Sequence, residues 1–367
     1  MMRRRLLLTA DAIGGVWTYA LDLAAALIPL GWEAVVALLG PAADAGQRAA
    51  AARAGVKLVD TGLPLDWLAA DAAEARRTAA ALGRLARRER VDLVQVNQPA
   101  LAGCDAGVPV IAAIHSCVAT WWAAVRSGPL PDGFGWQAAL TRDGLAAADA
   151  VVTPTAAFAG AVRAAYGVAA HVVANGRRPA GTPPRPMTDT VLTAGRLWDE
   201  GKDTATLDRA AGRLAVPFLA AGPLVGPQGD VFTPGNLHAL GRLDAGGLAA
   251  RLAARPVFAS AAVYEPFGLA VLEAAQAGCA LVLSDIATHR ELWDGAAVFV
   301  RPGDDAGFAT AIARLIGDAA ARRAAGTRAA ERAARFTAGA MADGMAAVYR
   351  AASGHPVVAR GPARAAA

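Results

Sequence analysis

The chain has 367 residues, too many for one ordinary core, so two domains are expected. Hydrophobic residues make up 55% and charged residues only 18%, which excludes a disordered chain. The net charge of +5 favours anionic substrates or a membrane surface, but the arginines are scattered through helical stretches and no RNA- or DNA-reading motif occurs, so nucleic acid is excluded as a partner.

Residues 4–9 read as a strand, and the basic start (Arg3, Arg4, Arg5) is not a secretory signal because Leu6-Leu7-Leu8 soon meets Asp11. Gly14-Gly15 follows, then apolar residues at helical spacing over 17–30. Strand, glycine pair, helix is the layout of a phosphate- or sugar-binding turn. The spacing is neither a dinucleotide fingerprint nor a P-loop. Further strands are expected at 33–39, 56–59, 91–96 and 109–114, with a long amphipathic helix over 71–90. His115 stands at the carboxyl end of the strand over 109–114, the end where open α/β sheets bind ligands. Trp121-Trp122 reads as core, as an acceptor wall or as an interfacial anchor. Helices over 136–148 and 156–166 and strands at 150–153 and 171–174 complete the first half.

Pro179, Pro183, Pro184 and Pro186 mark a linker, because proline can continue neither a helix nor a central strand. The alternation then restarts. A strand at 190–194 leads into Gly195-Arg196-Leu197 and Lys202, and strands follow at 217–221, 237–240, 256–260, 280–283 and 296–300. Helices are expected over 204–214, 245–254, 266–278, 304–335 and 338–352. The three cysteines, Cys104, Cys117 and Cys279, show no metal or disulfide pattern and suit a reducing cytoplasm. No apolar span long enough to cross a membrane stands out.

The segment from Tyr264 to Ala275 carries the densest chemistry. Pro266 suits the first turn of a helix, Gly268 lets a ligand approach the backbone, and the open N–H groups of the first turn attract an anion. On such a helix Glu273 would stand about 12 Å beyond Glu265.

With these motifs in place the sequence resembles the retaining glycosyltransferases of family 4. The resemblance rests on Glu265 to Glu273 as the E-P-F-G-L-x-x-L-E pattern, on Ser284-Asp285, Arg290-Glu291-Leu292 and Arg301-Pro302-Gly303-Asp304 after it, on Gly195-Arg196-Leu197 with Lys202, on Gly14-Gly15, on His115, and on Asn175-Gly176, where Ala174 replaces the family's proline. It implies an α/β GT-B fold, two Rossmann-like, doubly wound parallel-sheet domains facing across a cleft. Residues 1–183 would form the acceptor-side domain, 184–352 the donor domain with a last helix packing back on the first, and 353–367 a flexible tail.

The resemblance also assigns roles. Arg196 and Lys202 would grip the donor diphosphate, Glu265 would contact the transferred sugar, and His115 would face that sugar. Gly14 and Gly15 would leave room for the diphosphate and acceptor. The backbone around Phe267, Gly268 and Leu269 would receive phosphate or sugar oxygens, and Glu273 the ribose hydroxyls. No D-x-D occurs, so protein cations would replace a bound metal, and no cofactor is expected. The implied partners are a nucleotide-sugar donor and a hydroxyl acceptor that is a glycan, a lipid-linked molecule or a small molecule. The expected location is the cytoplasm, with peripheral contact at the inner membrane face as an alternative. Two rival functions share the pattern: a nucleotide-sugar epimerase or hydrolase, and a non-catalytic nucleotide-sugar-binding subunit. One departure stands out: Ile286-Ala287-Thr288-His289 follows Ser284-Asp285, where the family has a glycine-rich or proline-containing loop beside the donor sugar.

Overall fold

Leu6, Leu7 and Leu8 are fully buried because they belong to a central strand covered on both faces. The computed structural model describes residues 3–354. In chain order the first elements are β1 (Arg4–Asp11), α1 (Gly15–Leu27), β2 (Trp32–Leu39), α2 (Ala45–Arg53), β3 (Lys57–Asp60), α3 (Ala72–Glu89), β4 (Leu93–Val96) and β5 (Val110–Ala113). Next come α4 (Val118–Val125), α5 (Gly135–Ala147), β6 (Ala150–Thr153), α6 (Ala156–Tyr166) and the two-residue β7 (His171–Val172). The alternation then resumes with β8 (Val191–Ala194), α7 (Thr204–Ala211), β9 (Phe218–Ala221), β10 (His238–Gly241), α8 (Ala245–Leu252) and β11 (Val257–Ser260). The last elements are α9 (Leu269–Gln276), β12 (Leu281–Ser284), α10 (Ala287–Trp293), β13 (Ala297–Val300), α11 (Asp305–Gly317), α12 (Ala319–Ala333) and α13 (Ala338–Ala352). The expected tail lies mostly outside the described residues.

The chain divides into two units, and each has its own parallel sheet. The first comprises residues 3–114, 139–152 and 341–354. Its strand order is β3-β2-β1-β4-β5-β6, with every pairing parallel. Tyr349 of α13 belongs to this unit; its hydroxyl reaches Gln95 of β4 and its ring meets Trp32 edge-on at 5.2 Å. The second unit comprises 115–138 and 153–340, with strand order β10-β9-β8-β11-β12-β13. Both orders follow the doubly wound 3-2-1-4-5-6 pattern, which reverses direction between its first and fourth strands and opens a crevice there. Those crevices lie between β1 and β4 and between β8 and β11.

Local chemistry sets most boundaries. Asp71 caps α3 through Glu74 N–H, and Arg90 closes it in the left-handed region. The stretch that reads as one helix over 304–335 is two, because Asp318 leaves helical geometry (ψ 91) and caps α12 through Ala320 and Ala321 N–H. The helices α2, α4 and α10 are additions to the expected set. The first has a complete Asp44–Gln47 capping box, but its weakly apolar face hides the helical period. The expected donor-sugar loop at 286–289 is instead the N-cap and first turn of α10.

In the second unit α12 packs on α9 and on the turn after it, where a Cβ on Gly326 would stand 2.1 Å from the Gly278 carbonyl oxygen. Gly326→Ala should therefore destabilise the protein by about 2 kcal/mol or more in urea melts. Gly160→Ala, on the exposed face of α6 with nothing near the added methyl, should be neutral or stabilising by about 0.5–1 kcal/mol. Equal effects of the two would contradict this packing.

Candidate active site

The crevice of the second unit is flanked by the two loops that carry the charged motif residues. Gly195-Arg196 leaves the carboxyl end of β8, and the chain to Glu265 leaves the carboxyl end of β11, its hydrogen-bonded neighbour. These loops bring Arg196, Lys202 and Glu265 to one small cavity, which Thr193, Ser260 and the first turn of α9 also line. The volume, about 20 Å³, admits roughly one water molecule.

Lys202 Nζ and Glu265 Oε2 lie 2.5 Å apart across this cavity, with side chains 20% and 16% exposed. The backbone keeps them in register, because Val263 and Tyr264 N–H both donate to the Gly201 carbonyl. Arg196 pairs with the buried Asp199 at 2.7 Å. Burial raises the Asp199 carboxyl, but the charges of Arg196 and Lys202 and the Trp121 and Gly201 N–H groups outweigh it and hold the group below the usual carboxylate range. Asp199 Oδ1 thus accepts from Trp121 Nε1 at 3.1 Å and from Gly201 N at 2.9 Å. Trp121 and Trp122 are half-buried on α4, with the Arg126 guanidinium 6.0 Å from each ring. The sequence motifs give Asp199 no catalytic role, but from sequence it and Glu200 are the expected ion-pair partners of Arg196, and the pair forms with Asp199.

The motif helix differs from its expected form. Pro266 is not its first residue: α9 starts at Leu269, and Gly268 is the N-cap at φ +87. Glycine is favoured there because L side chains rarely adopt this φ, and a Cβ would also press at 3.2 Å on Glu265 Cγ and Val271 Cγ2. The open N–H groups are therefore those of Leu269, Ala270 and Val271, with no side-chain cap. Phe267 is buried in the core, edge-on to Phe336 at 5.7 Å. Glu265 precedes the helix, so the expected 12 Å axial spacing to Glu273 does not apply. Glu273 instead meets Arg177, and Gln276 Nε2 donates to the Arg177 carbonyl.

Tyr264, to which the motif pattern gives no role, links Glu265 to the segment after His115. Its hydroxyl lies 2.9 Å from Thr120 Oγ1 and 3.2 Å from Ser116 Oγ, and Cys117 N–H approaches it at 3.4 Å. Burial pushes the phenol up, so it stays protonated. His115 itself is half-buried, and desolvation pulls its imidazole down to about 4. His289 is fully buried. Its Nδ1 bonds the Ser284 carbonyl at 2.9 Å, while Nε2 has no hydrogen-bond partner among the described residues.

In the first unit Gly14 and Gly15 follow β1 at its own crevice. Asp11 Oδ1 shapes the turn by accepting Ile13 and Gly14 N–H, both at 2.9 Å. Gly14 is the N-cap of α1 with no side-chain cap, and a Cβ there would meet only Asp11 Oδ1 at 3.8 Å. The next strand over, β4, ends in a buried set in which Asn97 N–H donates to Thr9 Oγ1 and Thr9 Oγ1 donates to Gln98 Oε1.

The family models match both halves. Residues 13–180 match Glycosyltransferase Family 4, and residues 188–318 match Glycosyl transferases group 1. The chain belongs to the family 4, group 1 glycosyltransferases. Its fold is GT-B. It is similar to sucrose-phosphate synthase from Thermosynechococcus elongatus at 18% identity and TM-score 0.77, covering 95% of this chain and 99% of that one. A glycosyltransferase from Rickettsia africae matches at 14% identity and TM-score 0.69, covering 95% and 98%. Anabaena HepE, solved in complex with UDP-glucose, matches at 17% and TM-score 0.70, covering 95% and 99%. No curated protein matches in sequence. No helix among the described residues is long and apolar enough to cross a membrane.

The depressed His115 pKa has a sign that can be tested. Above about 6.5 the imidazole is neutral in both folded and unfolded chains. Between about 6.5 and 4 the unfolded chain binds a proton that the folded chain refuses, so this group lowers stability as pH falls through that window. Urea unfolding at pH 7 and pH 5 should show wild type losing more stability than His115→Gln. Equal losses would place His115 in a solvated setting.

Proposed function

We propose that this glycosyltransferase moves a sugar from a nucleotide diphosphate donor to a hydroxyl acceptor, with retention of configuration and without a metal ion. The observation that carries the proposal is the meeting of Lys202, Glu265 and Arg196 at the crevice between β8 and β11, beside the uncapped start of α9. Two cations and three open N–H groups can hold a diphosphate and offset the charge that grows on it as the glycosidic bond breaks. That charge balance needs no divalent ion.

Lys202 and Glu265 bridge the cavity with their charged ends. Donor binding therefore opens the Lys202–Glu265 pair: a phosphate oxygen takes over Lys202, and sugar hydroxyls take over Glu265. Arg196, 39% exposed, can turn from Asp199 to the phosphates. Glu273, ordered by Arg177, would receive the ribose. His115, neutral at physiological pH, would face the sugar as a hydrogen-bonding group and not as a cation. Gly14 and Gly15 would receive the diphosphate and acceptor in the first unit. No carboxylate is assigned as a nucleophile, so retention would proceed by departure and attack on the same face, with a leaving-group oxygen taking the acceptor proton. HepE was solved with UDP-glucose, which makes a uridine diphosphate sugar the first donor to try.

Thermal shifts with UDP-, GDP-, ADP- and TDP-sugars should single out one donor, because a ligand that binds the native state raises its apparent stability. With that donor, Arg196→Ala and Lys202→Ala should each lower turnover about 100-fold or more, and Glu265→Gln should do likewise without unfolding the protein. Turnover should survive EDTA, and NMR of the product should show the donor's anomeric configuration. Wild-type turnover in both cation variants would overturn the roles of Arg196 and Lys202. Loss of activity in EDTA or an inverted product would remove those two parts of the proposal.

A further inference from the structure

Tyr264 touches the surroundings of three candidate site residues at once. It precedes Glu265 in the chain. Its backbone N–H donates to the carbonyl of Gly201, which precedes Lys202. Its hydroxyl meets Ser116, Cys117 and Thr120, the residues just after His115. A phenol has one hydrogen and two lone pairs. Donating to Ser116 Oγ and accepting from Cys117 N–H uses the hydrogen and one lone pair, and Thr120 Oγ1 stands 2.9 Å away on the remaining side. The ring is only 8% exposed and packs edge-on against Phe158 at 6.3 Å, so the hydroxyl is not free to swing away. The segment it grips includes the exposed Ser116, and α4 starts at Val118 with no side-chain cap; Tyr166 adds a second hold through Cys117 Sγ at 3.2 Å.

We infer that the Tyr264 hydroxyl is a positioning group for the transfer reaction, fastening the His115–Ser116 segment in register with Glu265 and Lys202. The catalytic half of this inference rests on the roles proposed above. Tyr264 touches no substrate; it acts through the residues it holds. A misplacement of about 1 Å in such a site costs on the order of 100-fold in rate.

Tyr264→Phe keeps the ring and removes only the hydroxyl. The expected result is faster amide hydrogen exchange over residues 115–120, by about fivefold, the weight of one ordinary hydrogen bond. With the donor that stabilises wild type, kcat should fall about 10- to 100-fold while the donor KM and the donor-induced thermal shift stay unchanged. A purely structural role would instead lower thermal stability and donor binding together. Thr120→Val, which leaves the phenol in place, should reproduce part of the kcat loss, and the double variant should be no slower than Tyr264→Phe because both changes cut the same link. Wild-type exchange over 115–120, or kcat within twofold of wild type, would overturn the inference. Should wild type transfer no sugar, the proposed function fails, and the exchange measurement alone decides whether Tyr264 fastens the segment.

Discussion

Lys202 and Glu265 put opposite charges 2.5 Å apart in a place where each side chain is mostly buried. Burying either charge alone would cost several kcal/mol, so each needs the other or an equivalent partner. On the roles proposed above, the pair would be both a lock and a receptor, opening to a ligand that brings an anion for Lys202 and hydrogen-bond donors for Glu265. A diphosphate alone satisfies the first demand and a neutral sugar alone the second; a molecule carrying both satisfies the whole pair. A preference for a joined phosphate and sugar would thus follow from the energetics of one ion pair, before any shape matching is invoked.

The pair exists because of the sheet order. In a doubly wound sheet the connections from the two central strands run to opposite sides, so their carboxyl ends are left uncovered side by side. The β8 and β11 loops meet there, and short bonds tie them together: Val263 and Tyr264 to Gly201, and Gly201 to Asp199. Asp199 then serves three purposes with one carboxylate. It holds Arg196, caps the turn that carries Lys202, and anchors Trp121. The strain of a left-handed Asp203 directly after Lys202 is tolerated because the same residue caps α7.

Much of this is legible in the residues, for identifiable reasons. Alternating apolar strands and helices show two parallel α/β units because buried parallel strands leave long apolar runs, and α6 and α13 fall at the expected residues. The residues around the second crevice are legible because Gly195-Arg196-Leu197 with Lys202, and Glu265 to Glu273, match motifs of the family that the sequence resembles. The start of α9 is not, because Pro266 satisfies a general rule for first turns, whereas a positive φ at Gly268 decides the real boundary. The first turn of α10 reads as a loop, since seven residues show too little period. The partners of the motif residues are hidden for a deeper reason: Arg177 and Glu273 are 96 positions apart, and only the folded chain says that they meet.

The two carboxylates of the motif end up under different constraints, and the difference bears on what each can do. Glu265 is paired with a lysine, a compact charge on a flexible stem that a phosphate can draw away. Glu273 is paired with an arginine whose backbone is pinned, its N–H to Phe336 and its carbonyl to Gln276. An ionised carboxylate has about four acceptor sites, so a ligand hydroxyl can join Glu273 without expelling Arg177. Binding at Glu273 would therefore be addition to a fixed acceptor, which suits a group that must be held the same way before and after transfer. Binding at Glu265 would be exchange, coupling arrival of a phosphate to release of the carboxylate proposed to contact the sugar. The nucleoside end of the proposed donor would thus dock on a preformed site, and the reacting end would become competent only once the diphosphate has taken Lys202.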